Sequence, residues 1–254
     1  MSKEFDILNT STMPVIALRG LTVFPNVLIH FEVARPASVR ALEAAMTAGS
    51  PVFLVGQKDI NLEEPGLDDL YQVGTVSTIR QILRMPGDNV RVMVEGVSRG
   101  RLLQLLRTEP HLEAEVQEIS APESPARGSA KTEALMRSTY DLFQDYAELA
   151  PKLSPDLIVH VLASQDPGHI ADYIAQNIPM RNGDKQMILE ELRPVKRLEK
   201  LRRLLEREVE ILTLDQEIQE RARERVNDHH RDYYIRDQMK GIQTELGEEA
   251  EEIV

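Results

Sequence analysis

Apolar and polar positions alternate with two different periods along this chain, and the change of period divides it. Up to about Ile119 the apolar runs are short, rich in β-branched residues and broken by turn residues, which is the pattern of strands. Pro14 to Leu18 is one such run, ended by Arg19-Gly20. Val27 to Val33 places Ile29, Phe31 and Val33 on one face, and Val52 to Val55 reads as a buried strand. Tyr71 to Met85 and Val90 to Val94 flank Pro86-Gly87-Asp88-Asn89, a hairpin signal. Arg101 to Arg107 and His111 to Ile119 supply two further strands, with helix an open alternative for the leucine-rich run from Leu102 to Leu106. Between the strands, Pro36 opens a helix at the position that suits it, with Val39, Leu42, Ala45 and Met46 on one side. Gly49-Ser50-Pro51 closes that helix.

A Pro-, Ser- and Ala-rich linker follows at 121–129, and beyond it the period becomes helical. Ala134, Leu135, Ser138, Leu142 and Tyr146 make one helical face. Ser154-Pro155-Asp156 starts a short helix to about Ser164, Asp166-Pro167-Gly168 starts another through Ile178, and Asp184 is placed to cap a third. From Val195 to Lys240 there is neither Gly nor Pro, which predicts a single helix roughly 70 Å long. Leu198, Leu205 and Leu212 recur at seven, as do Leu204, Ile211 and Ile218, giving the helix coiled-coil character. With Leu201, the seam Leu198, Leu205 and Leu212 is expected to pack on the helical part. The predicted class is α+β: a β-rich subdomain over 1–120, the linker, a helical bundle over 130–192, and a long helix over 193–254.

Composition narrows the function. The net charge is −12, and residues 1–120, 121–192 and 193–254 each carry more acid than base. That argues against a nucleic-acid platform, which needs a basic patch to release counterions. No apolar run approaches the ~18 residues of a membrane span, and the first residues lack a signal-peptide pattern, so a soluble, cytoplasmic protein is expected. With no Cys, thiolate metal sites, disulfides and cysteine nucleophiles are excluded together.

Candidate chemistry is sparse. Gly96-Val97-Ser98-Arg99-Gly100 matches the letters of the serine-hydrolase elbow, which needs a strand before the serine and a helix after it. Here a second strand follows at least as naturally, so the glycines read as a strand junction or bulge. The six His residues show no ligand spacing, and neither phosphate-binding Gly-rich pattern occurs. The loop between the first two strands, however, carries Leu21, Val23, Phe24 and Pro25, and the hairpin tip carries Met85 and Pro86. These residues either fold back on the core or form an exposed apolar patch able to hold unfolded chains. On the second alternative, Phe24→Asp combined with Met85→Asp leaves the fold intact and weakens binding to an unfolded protein.

Several segments together carry a family resemblance. The run from Pro14 to Met46, VFLVGQKD at 52–59, and the stretch from Glu64 to Arg99 resemble the amino-terminal region of the bacterial Lon protease family. So do KQMILEEL at 185–192 and the segment from Arg231 to Gly247. The resemblance implies a PUA-like pseudo-barrel, a helical subdomain and a long helix leading to an AAA+ module. It implies a homohexameric, ATP-dependent serine protease that degrades misfolded and regulatory proteins, with unfolded or degron-bearing proteins as partners. The family's nucleotide motifs and Ser–Lys dyad would lie beyond residue 254, so no catalytic residue, metal or cofactor is expected here; ATP and Mg would belong to the missing module. The rival expectation is an independent peptide- or ligand-binding β domain with a coiled-coil dimerisation tail.

Overall fold

The computed structural model describes residues 7–86, 89–120, 129–150 and 153–251, with side chains placed over 10–86, 89–120, 129–150 and 153–225 and at His230, Gln238 and Met239. Six strands, β1 (Ile7–Leu18), β2 (Leu28–Val33), β3 (Val52–Gly56), β4 (Val73–Arg84), β5 (Val90–Arg107) and β6 (Glu113–Ile119), form one sheet. Their order is β2-β5-β4-β3-β1-β6, antiparallel throughout except for β1 beside β3. The sheet closes on itself because β5 is 18 residues long. Its first part pairs with β2 and β4, and its last part pairs with β6, which returns to β1. Strands β1, β3, β4, β5 and β6 thus make a ring, and β2 hangs on β5 as an edge.

Side-chain alternation fills both faces. Val15, Phe53, Val76, Leu102 and Val116, one from each ring strand, meet in one buried cluster. The intervening residues Ile16, Leu18, Val52 and Leu54 pack with Val92 and Val94 beneath α1 (Pro36–Ala48). Helix α1 contributes Ala41, Leu42 and Ala45 to that layer, whereas Met46 is 55% exposed, one position round from the buried stripe.

The helical layer comprises α2 (Ala130–Leu149), α3 (Pro155–Ala163), α4 (Pro167–Asn177), α5 (Asn182–Glu190) and the root of α6 (Pro194–Glu251). Ile170 and Ile174 of α4 lie among Phe143 and Tyr146 of α2 and Leu198, Leu201 and Leu205 of α6. Phe24, Val27 and Val73 from the β half join the same cluster, so the two halves share a core.

Several sequence expectations change. The two strands expected at 90–94 and 101–107 are one strand, and the helical alternative for Leu102–Leu106 is excluded by its pairing with β6. Strand β1 begins at Ile7 rather than Pro14, because its polar residues gain partners along β6. The buried face of α2 is centred on Thr139, Phe143 and Tyr146, flanked by half-buried Leu135 and Leu142. Asp184 does not cap α5, whose N-cap is Arg181; its carboxylate instead accepts from Arg207 at 2.6 Å. The 58-residue α6 passes through Gly241 and Gly247 and spans roughly 85 Å. Residues 121–128 of the expected linker and the tip residues Gly87 and Asp88 fall outside the described residues.

Candidate functional site

The residues singled out in the apolar loop separate into two groups. Val23, Phe24 and Pro25 are buried, with Phe24 at 0% exposure. They are therefore not an exposed patch, and the folded-back alternative holds for them. The loop turns at Asn26 (φ 59°), a left-handed conformation that Asn tolerates, and drives Phe24 into the helical core. The Phe24 N–H donates to Gln176 Oε1 at 3.1 Å, and Thr75 Oγ1 donates to the Val23 carbonyl at 2.6 Å. Phe24 is a plug between the halves, and Phe24→Asp would bury a carboxylate there rather than spare the fold.

Leu21 and Met85 are half-buried and Pro86 is exposed. Leu21 lines a cleft of about 270 Å³ with Leu18, Arg19, Phe31 and Arg35. Met85 lines a second, of about 330 Å³, with Val39, Arg40, Arg84 and Val90. Ala34, at the junction of β2 and α1, borders both. The structure therefore brings Leu21 and Met85 to two sides of one corner, each beside an arginine. In the first cleft, Arg35 donates to Ala17 O, Gln57 Oε1 and Glu63 O, and Arg19 donates to Leu62 O. Burial, and then the neighbouring Arg19 charge, push the Arg35 guanidinium below its ordinary pKa against the opposing charge of Glu63.

Ser98 lies in the continuous strand β5, with no helix after it, and its Oγ donates to Glu118 Oε2 at 3.1 Å. The register shift opposite Val76 and Ser77 leaves Val97 bulged and 51% exposed. Gly96 is required because a Cβ there would stand 2.2 Å from the Phe24 carbonyl oxygen. The elbow-like letters thus encode a bulge over which the Phe24 loop crosses.

Beside that bulge sits an ionic joint that the sequence did not announce. Arg99 makes a two-pronged contact with Asp172 at 2.9 and 2.7 Å and donates from Nε to Leu189 O. Arg197, from the root of α6, donates to the same carboxylate at 2.8 Å and to the carbonyls of Glu191 and Leu192. All three side chains are at most 6% exposed. Burial pushes the Arg197 pKa down to about 10, opposed by Asp172 and assisted by Arg99, so the group stays charged at neutral pH. Burial alone would raise the Glu191 pKa, but hydrogen bonds from Arg193 and Lys200 prevail and hold it at about 2.

A family model described as the ATP-dependent protease La (LON) substrate-binding domain matches residues 12–207. The chain belongs to this Lon family. It is 38% identical over 252 residues to the Lon protease of Heliobacterium modesticaldum, covering 99% of this chain and 31% of that protein. It is 37% identical to the Lon protease of Escherichia coli K12, covering 93% of this chain and 30% of that protein. The chain thus spans under a third of the length of these relatives. The solved N-terminal domain of Mycobacterium avium complex Lon protease superposes with TM-score 0.61 at 20% identity, over 77% of this chain and 98% of that one. Its likeness shows the same α+β fold, a sheet with helices.

In this Lon amino-terminal region, Leu198, Leu201 and Leu205 are fully buried and Leu212 is half-buried, all on the helical core. Ile211, Leu214 and Ile218 face outward. Among the described residues there is no group of three or more His, Asp or Glu placed to hold a metal, and no helix long and apolar enough to cross a membrane.

Proposed function

We propose that the chain is the substrate-recognition and assembly region of an ATP-dependent Lon-type serine protease and carries out no chemistry itself. The match to a Lon substrate-binding domain supports this reading most directly. Unfolded or degron-bearing proteins would be held at the corner between β2 and α1. Leu21 on one side and Met85 and Pro86 on the other would supply adaptable apolar contacts. The subdomain and linker boundaries read from the sequence, and the pseudo-barrel likeness to PUA domains, belong to the same proposal. Helix α6 would hold this corner away from an ATPase module and pair with neighbouring copies in a cytoplasmic homohexamer. The outward stripe Ile211, Leu214 and Ile218, spaced like a heptad seam, supports that pairing. ATP and Mg would act in the ATPase module, outside this chain.

The decisive experiment replaces both Leu21 and Met85 with Asp, in place of the core residue Phe24. The double variant should keep its melting temperature within a few degrees and bind a reduced, carboxymethylated, permanently unfolded protein at least several-fold more weakly. Unchanged binding by the folded variant would overturn the corner as the capture site.

A further inference from the structure

Among the described residues, strand β2 pairs on one side only, with β5, and its other edge is free. Gly96 N–H donates to Val27 O at 3.0 Å, which fixes the parity of the β2–β5 ladder. With Ile29 opposite Val94, Phe31 opposite Val92 and Val33 opposite Val90, these odd-numbered residues turn their main-chain groups towards β5. Leu28, His30 and Glu32 therefore turn theirs outward, and no other main-chain or side-chain group among the described residues bonds them. Their side chains are exposed as well. The outer end of this edge, at Phe31–Val33, borders the cleft that holds Leu21.

The cleft has a charge preference. Glu32 is paired with Arg91 at 2.5 Å. Arg19 and Arg35 hydrogen-bond to neutral oxygens, and among the described residues neither has a carboxylate at ion-pair distance, the Glu63 charge acting on Arg35 from farther off. Two guanidiniums beside an apolar wall and an open main-chain edge complement one kind of guest.

We propose that an extended, acidic polypeptide segment adds to β2 as a further strand, bonded through the main chain of Leu28, His30 and Glu32 and steered by Arg19 and Arg35. Its apolar side chains rest on Leu21 and Phe31, and a carboxylate meets Arg19. Main-chain pairing is indifferent to side-chain identity, which suits a guest recognised because it is unfolded. The proposal rests on the capture reading above and specifies its mode.

Proline provides the test, since it is tolerated on an edge strand where the N–H faces solvent. His30→Pro removes one outward donor and no bond to β5, whereas His30→Ala removes the side chain alone. With the whole chain and the carboxymethylated unfolded protein, His30→Pro should weaken binding at least tenfold and His30→Ala less than twofold. A short peptide alternating valine with glutamate should bind and lose affinity in Arg19→Gln, and its valine–lysine counterpart should bind more weakly to the unmodified chain. Amide exchange with the valine–glutamate peptide bound should slow at Leu28, His30 and Glu32 specifically; this measurement decides alone if His30→Pro does not fold. Equal binding by folded His30→Pro, or protection elsewhere, overturns strand addition while capture stands. No binding by the unmodified chain overturns both. A dimer that His30→Pro converts to monomer places a second copy on this edge and overturns the proposal.

Discussion

Phe24 and Asp172 hold the two halves of the molecule together in different ways. Phe24 contributes burial: Phe24→Ala should cost ~3–5 kcal/mol by urea denaturation, because the ring is fully enclosed and a cavity would remain. Asp172 contributes charge balance. Asp172→Asn leaves Arg99 and Arg197 buried without a carboxylate and should cost ~3–5 kcal/mol, measured the same way. Glu191 adds a pH dependence. Its folded pKa, about 2, lies below the ordinary 4.5, so its stabilisation is full above that ordinary value and is lost as pH falls towards 2. Glu191→Gln should flatten melting temperature against pH in that window. The sequence leaves Phe24 open between core and surface patch and does not mark Arg99, Asp172 or Glu191 at all. A single apolar residue in a loop has the same letters whether it is buried or exposed, and Arg99 and Asp172 are 73 positions apart.

At the scale of elements, local pattern was a good guide wherever one face of an element decides its state. Helix α1, strands β2 and β3, and the starts of α3 and α4 lie within a residue or two of their expected ends, since Pro and Gly punctuate them directly. The sequence predicts two strands where β5 runs unbroken, because Gly96 and Gly100 look like a junction. They instead admit the Phe24 main chain and close neighbours, which only the tertiary fold requires. The same contact predicts that Gly96→Ala is strongly destabilising, while Gly183→Ala in α5, with nothing within 4 Å, is neutral or raises stability by ~1 kcal/mol. Thermal melts of the two variants check the contrast. In α6 the apolar seam stops at Leu212, so amide exchange should be slow as far as that residue and markedly faster beyond it in the isolated chain.

The whole molecule follows from a shared interior. Phe24, Val27 and Val73 belong to the helical cluster, and Arg99 of the sheet is bonded to α4. The β half and the helical half should accordingly unfold in one transition. Near-ultraviolet signals from the tyrosines of the helical layer and amide exchange in β4 should report the same midpoint; two separated midpoints would contradict the shared core. The three-part division of the sequence rests on period and composition, which register local structure and are blind to such bonds. The change of period carried the α+β class and the family resemblance the recognition role, whereas the proposed position of the capture corner comes from the geometry of β2 and α1.

Helix α6 has a mechanical consequence. Anchored by Arg197 and the leucines up to Leu212, it continues as an arm of 39 residues, roughly 58 Å, to Glu251. Such an arm works as a pointer: a tilt of about 5° at its fulcrum displaces the tip by roughly 5 Å, about one helical turn. A small tilt where α6 leaves the core at Leu212 would thereby be magnified into a step of molecular size at the far end.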